Sequence, residues 1–261
     1  MLAEVKVLVL GVSNAESVIE NGEEHTQPTI TLVRDKDFVM VVDPGVLENQ
    51  QVLVEALKKE NLTVQDVNVV CITHSHLDHY RNIGMFPNAK AIDYYGVWDK
   101  TTIVTWSEDL TDNIKVLHTP GHDYTSITLF VTTKDGVVAI CGDVFWRENY
   151  PRDPHDDVFA SNPERLKESR EMILRDADWI VPGHGPMYKN DRAAEEEKER
   201  EQMAEKRNEE GIRNQKVTIA CKRCGMQMSQ KDKCRCRPYL CFRCCECGLD
   251  CNNCSCSHRK S

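Results

Sequence analysis

Five histidines and two aspartates stand where short apolar segments end, and their types suit metal ligation. Thr73-His74-Ser75-His76-Leu77-Asp78-His79 follows the apolar run Val67–Ile72. His74 and His76 are two apart, so at a strand end both imidazoles can face one point, while Asp78 and His79 turn toward a neighbouring one. Neutral imidazole and carboxylate together favour zinc, iron or manganese over calcium. His122 ends Thr119-Pro120-Gly121-His122, after the run Ile114–Leu117. Asp143 follows Gly142 after Val137–Cys141, and His184 sits in Pro182-Gly183-His184-Gly185-Pro186 after Trp179–Val181. Seven such groups are too many for one tetrahedral ion but suit two ions sharing a bridge.

The intervening segments read as the scaffold that brings these groups together. Val5–Val12, Thr29–Arg34, Phe38–Val42 and Val67–Thr73 are β-branched and strand-sized. Further strands are predicted around Ile114–Leu117, Ser126–Thr132, Gly136–Cys141 and Trp179–Val181. Gln51–Asn61 has a helical apolar side, and Asn162-Pro163 opens a second helix reaching about Asp176, with Asn162 as cap and Pro163 in the first turn. Strands in meander with interspersed helices predict stacked α/β or α+β layers. Cys71 and Cys141 lie inside strands and read as small buried apolar residues.

The order His-x-His-x-Asp-His, then His122, Asp143 and His184, resembles the metallo-β-lactamase superfamily over roughly residues 5–190. The resemblance implies a four-layer αβ/βα sandwich of α+β class, with metals at one edge between the sheets. It places His74, His76 and His122 on a first metal and Asp78, His79 and His184 on a second, with Asp143 bridging. The cofactors so implied are two divalent ions, zinc first, with iron or manganese as substitutes. It also implies a metal-activated hydroxide as nucleophile, oriented by Asp78 as the catalytic carboxylate. Asp43 resembles the superfamily's early strand-end aspartate that supports the ligand loop; on the residues alone it is equally the start of an Asp-Pro-Gly turn.

Within the superfamily, Thr73–Pro87, Gly142–Phe145 and Asn162–Pro186 are similar to a group described as homodimeric zinc endoribonucleases of cytosol and nucleus, acting on histone pre-mRNA 3′ ends. An aspartate bridge equally suits a thioester hydrolase of the glyoxalase II type, and a non-catalytic metal-binding or storage protein is a third reading. His155 and Asp156 lie between two ligand motifs, where a general acid could sit, but a solvated loop is the simpler reading; His118 reads as structural.

Charge and cysteine divide the chain. It has 33 Lys+Arg against 42 Asp+Glu, a net charge of −9. Residues 217–261 hold 9 basic and 3 acidic residues, leaving 24 basic and 39 acidic in 1–216. An acidic body sits awkwardly with a polyanionic substrate, which makes the tail the better RNA-binding candidate. Three parts are therefore expected: a hydrolase domain over 1–190, a charged helical linker over 191–216, and a Cys-rich tail over 217–261. Eleven of the 13 cysteines fall in that tail. Cys221, Cys224, Cys234, Cys236, Cys241, Cys244, Cys245, Cys247, Cys251, Cys254 and Cys256, with His258, are candidate ligands for further zinc, which would supply most of the tail's folding free energy. No apolar run reaches the roughly 18–20 residues of a membrane span, and Met1–Val12 lacks the basic leader of a secretory signal, so a soluble cytosolic protein, with nuclear access, is expected.

Overall fold

A computed structural model describes residues 2–14, 24–148 and 150–191, and the backbone of 218–220 and 227–229. The chain separates into two compact units, 1–192 and 193–261. In the second, Thr218–Ala220 pairs antiparallel with Gln227–Ser229. The linker expected over 191–216 and the cysteine ligands expected over 217–261 otherwise lie outside the described residues.

The first unit begins with β1 (Glu4–Val9), β2 (Val12–Ser13), β3 (Thr26–Gln27), β4 (Ile30–Asp35), β5 (Phe38–Val42), α1 (Gln51–Lys59), β6 (Val69–Cys71) and α2 (Leu77–Tyr80). It continues through β7 (Lys90–Asp93), β8 (Gly96–Asp99), β9 (Thr102–Val104), β10 (Ile114–His118), β11 (Ile127–Thr133) and β12 (Gly136–Gly142). Then come α3 (Pro163–Asp176), β13 (Trp179–Pro182) and β14 (Tyr188–Lys189). One sheet runs β1-β4-β5-β6-β7-β8-β9 and the other β10-β11-β12-β13-β14. Both are mixed: β5, β6 and β7 are parallel, as are β12 and β13.

Strand periodicity sorts the core into three layers of contact. Val33, Met40, Val42 and Cys71 point toward the second sheet, where they meet Val116, Leu129, Val131, Val138 and Ile140. Their neighbours Leu32, Val41 and Val70 point the other way and pack against Leu53, Ala56 and Leu57 of α1. On the second sheet Ala139 and Cys141 face outward against Leu166 and Ile173 of α3. The result is helix, sheet, sheet, helix: the four-layer sandwich expected from sequence. Because the inner strands are covered on both faces, they read as unbroken apolar runs rather than alternations. Asn162 caps α3 as expected, accepting from the Arg165 amide at 3.0 Å, with Pro163 in its first turn. Among the described residues no helix is long and apolar enough to cross a membrane.

Two expected strands are shorter than their apolar runs. Val5–Val12 breaks after Val9 because Gly11 turns its amide to the Thr29 hydroxyl at 3.2 Å, and a Cβ at Gly11 would collide with that threonine. Val67–Thr73 pairs only over β6; the Thr73 carbonyl leaves the first sheet and accepts from Ile127 of the second at 2.8 Å. That departure starts the ligand loop.

Candidate metal centre

All seven donors lie on segments that leave strand ends on the same side of the sandwich. β6 releases the His74–His76 loop and then α2, which carries Asp78 and His79; β10 leads to His122, β12 to Asp143 and β13 to His184. Glycine is required twice. Gly142 sits at φ +50°, in the left-handed region, and a Cβ there would strike Thr73. Gly183 passes so close to Asp143 that a Cβ would overlap its carboxylate.

The donors form two sets, His74, His76, His122 and Asp143, and Asp78, His79 and His184, with the ligand atoms of each within 4.8 Å of one another. Asp143 stands between them. Its Oδ2 lies 3.2 Å from His184 Nε2, 3.5 Å from His122 Nε2 and 3.8 Å from His74 Nε2, while Oδ1 is 3.3 Å from His79 Nε2. His76 Nδ1 is 3.0 Å from His74 Nε2 and 3.1 Å from His122 Nε2. Asp78 Oδ2 is 3.6 Å from His184 Nε2 and 3.8 Å from His79 Nε2.

Outer partners fix which nitrogen of each ring faces inward. His79 Nδ1 donates to Asp43 Oδ2 at 2.8 Å, His122 Nδ1 to Asp157 Oδ2 at 2.9 Å, and His184 Nδ1 to the Gln27 carbonyl at 3.0 Å. In the neutral form each of these rings then turns the Nε2 lone pair toward the carboxylates. His79 Nε2 and Asp143 Oδ1 are buried and, though 3.3 Å apart, make no well-formed hydrogen bond with each other or with another group. A cluster of inward acceptors short of protons is unfavourable by itself and suits divalent cations. The donor chemistry and the two orphaned atoms fit a dinuclear centre.

Electrostatics agree with that fit. Burial, then the neighbouring His79 imidazole, holds His74 well below the usual histidine range, and burial with His122 lowers His76. Burial opposes ionisation of Asp143, but His184 and His79 outweigh it and keep the carboxyl well below its ordinary range. His79 and His184 are lifted despite burial, chiefly by Asp143. The carboxylate that lifts them would equally draw a cation.

Asp43 proves to be both things its sequence allowed. It starts the Asp-Pro-Gly turn at φ +51°, and that backbone aims its carboxylate at the ligand loop, where it accepts from the Thr73 amide at 2.8 Å, the Thr73 hydroxyl at 2.6 Å and His79. His118 stacks against Tyr94 and Trp106 outside the cluster, and His155 is exposed, paired with Asp153 at 2.9 Å. Sequence reasoning missed Asp157, Gln27 and Thr26, whose hydroxyl donates to Asp78 Oδ2 at 2.8 Å. Asp157 lies beside the Asp156 considered from sequence, but only the fold brings it under His122. Asp157→Ala is expected to weaken zinc binding roughly 10–100-fold with unchanged secondary structure, by freeing the His122 ring; a competition titration with a chromophoric chelator reads this directly.

The cluster opens into a cleft of about 200 Å³, lined beyond the donors by Ser13, Glu24, Thr26, Trp146 and Phe159. The Trp146 and Phe159 rings lie 5.6 Å apart and form its apolar wall.

Comparison with known proteins agrees with this geometry. Residues 25–116 and 108–184 match the model of the metallo-beta-lactamase superfamily. The chain is 32% identical over 170 residues to metallo-beta-lactamase domain-containing protein 1 of Xenopus laevis, covering 62% of this chain and 72% of that one. It is 26% identical over 162 residues to a hydroxyacylglutathione hydrolase of Hahella chejuensis, covering 59% and 57% respectively. The match spans 48% of a Caenorhabditis elegans relative and 62% of the rat counterpart of the frog protein, less than two thirds of either. A Thermotoga maritima structure described as a metallo-beta-lactamase shares the fold at a TM-score of 0.59 and 24% identity, covering 72% of this chain and 100% of that one. The chain belongs to the metallo-beta-lactamase superfamily, as one of its metal-dependent hydrolases.

Proposed function

We propose that this hydrolase cleaves thioesters or esters of small, uncharged acyl compounds. The observation that carries the reading is the cleft lining. Glu24 and Asp78 are its acidic members beyond the bridge, Trp146 and Phe159 its apolar wall, and no described lining residue is Lys or Arg. No described lining residue offers a lysine or arginine to pair with a run of phosphates, whereas the Trp146 and Phe159 rings offer apolar contact to an acyl group. The similarity to a hydroxyacylglutathione hydrolase supports an acyl bond as the target.

When bound, a pair of divalent ions held by the seven donors would polarise the scissile carbonyl and bring the pKa of water toward neutrality. The chain's own groups supply the rest. Asp78, 17% exposed and fixed by Thr26, faces the cleft where it can orient water, take one proton from it and return that proton to the leaving thiolate or alkoxide. Water adds across the acyl bond, so one carboxylic acid and one thiol or alcohol leave. Trp146 and Phe159 shield the wall from bulk solvent, which strengthens every charge interaction inside.

A second reading, the endoribonuclease acting on histone pre-mRNA 3′ ends, is favoured by the similarity to metallo-beta-lactamase domain-containing protein 1 and by the basic balance of 217–261. The homodimer and the cytosolic and nuclear placement implied by that resemblance belong to it. Zinc-loaded protein assayed on simple uncharged thioesters, aryl esters and labelled single-stranded RNA separates the two. Turnover of acyl substrates that Asp78→Asn abolishes is the expected outcome; metal-dependent RNA cleavage without acyl turnover would replace the first reading by the second. Inertness toward all of them, with metal bound, would leave a storage protein.

A further inference from the structure

A second pocket, of about 240 Å³, adjoins the metal centre without opening from the same cleft. Its floor is Ile72, His74 and Thr125, all buried, and its walls are Tyr80, Tyr94 and Tyr95, with Ile83 and Ser75 exposed at the mouth. His74 is shared: its Nε2 belongs to the donor cluster while the residue lines this pocket. The ridge between the two cavities consists of two short loops. Residues 74 and 75 face this pocket and His76 the cleft; Thr125 faces this pocket and His122 the cleft. The loops are fastened to each other by Ser75, whose amide donates to Thr125 Oγ1 at 3.0 Å and whose hydroxyl lies 2.7 Å from the same atom.

We propose that this pocket is the subsite for the uncharged, apolar end of the substrate, an aromatic or branched hydrocarbon group several bonds from the scissile carbonyl. The proposal rests on the acyl reading given above and narrows it. Three features of the pocket carry it. Its lining is mainly hydrocarbon and tyrosine ring, the composition of a ligand-binding cavity. Among the described residues its one charged side chain is Asp93, whose Oδ1 is held by the amides of Tyr95 at 2.9 Å and Gly96 at 3.1 Å, and no described lysine or arginine lines it, so a carboxylate or phosphate would be desolvated here without a described partner. Along the first loop only one or two residues part the groups facing the pocket, His74 and Ser75, from His76 facing the cleft, a separation that a flexible chain of several bonds crosses. The volume then fits one phenyl or branched alkyl group. Beside the mouth the Tyr94 ring packs perpendicular to the exposed Tyr95 ring at 5.2 Å, and Tyr95 Oη is 3.3 Å from Tyr124 Oη.

The test compares two aryl esters with the same leaving group, one acetyl and one 6-phenylhexanoyl, in zinc-loaded wild-type protein and in Ile83→Arg. Ile83 is exposed at the pocket mouth and is no metal ligand, so the variant closes and charges the pocket without touching the centre. KM for the phenylhexanoyl ester is expected to rise about 10-fold in the variant with kcat held, as one apolar group loses its site. Both constants for the acetyl ester should stay as in wild type. Equal effects on both esters, or on neither, overturn the subsite. Binding of 6-phenyl-1-hexanol, followed by nuclear magnetic resonance shifts of the tyrosine rings, provides the arm independent of turnover. Ile83-dependent binding in a protein that hydrolyses no ester would refute the acyl reading and keep the pocket. Ester turnover with no such binding would refute the pocket and keep the reading.

Discussion

Asp143→Asn is expected to remove hydrolytic activity while leaving the sandwich folded. The variant preserves side-chain volume and replaces one carboxylate oxygen by an amide that presents hydrogens. In the native site Asp143 is 6% exposed and meets four imidazole Nε2 atoms at 3.2–3.8 Å, so one substitution disturbs both donor sets together. Loss of a bridging charge forfeits several kcal/mol of transition-state stabilisation, which at about 1.4 kcal/mol per decade corresponds to roughly a 10³-fold drop in kcat/KM. Steady-state kinetics beside calorimetric zinc titration measures it, with circular dichroism to confirm folding. Near-native turnover in a variant with intact zinc stoichiometry would show that Asp143 holds no bridging place.

Zinc is expected to stabilise the protein strongly, because the site assembles only in the folded chain. At a free concentration 1,000-fold above Kd each filled site adds about 4 kcal/mol. For a unit of nearly 200 residues each kcal/mol moves Tm by about 2–4 °C, so even one filled site raises it by at least ~8 °C. Scanning calorimetry of chelator-stripped protein with and without zinc tests this, using a chain truncated after residue 192 to keep the Cys-rich segment out of the balance. That truncation follows the boundary between the compact units. An unchanged Tm at saturating zinc would mean that the seven groups hold no ion.

That these seven side chains cluster was legible in the sequence, because each follows a strand whose apolar run is itself visible, and because imidazole and carboxylate at such spacing have few other uses. The layers were legible for a similar reason: strands covered on both faces carry unbroken β-branched runs. The partners that orient the rings were not. Asp157, Gln27 and Thr26 reach the centre from 35, 157 and 52 positions away from His122, His184 and Asp78, and nothing in their local pattern marks them. The meander β7–β9 also escaped sequence reading. Trp98, Ile103 and Val104 are exposed there, so hydrophobic alternation carries little information about pairing. Asp43 was half legible, since an Asp-Pro-Gly turn explains the residue completely until the fold swings His79 beside it.

The donors of this centre come from both sheets: His74, His76, Asp78 and His79 from the first, His122, Asp143 and His184 from the second. No fragment ending before residue 184 carries the whole set, so during synthesis it can close only after nearly the entire sandwich has emerged and docked. The centre is thus completed by architecture, with docking of the second sheet preceding closure of the full set.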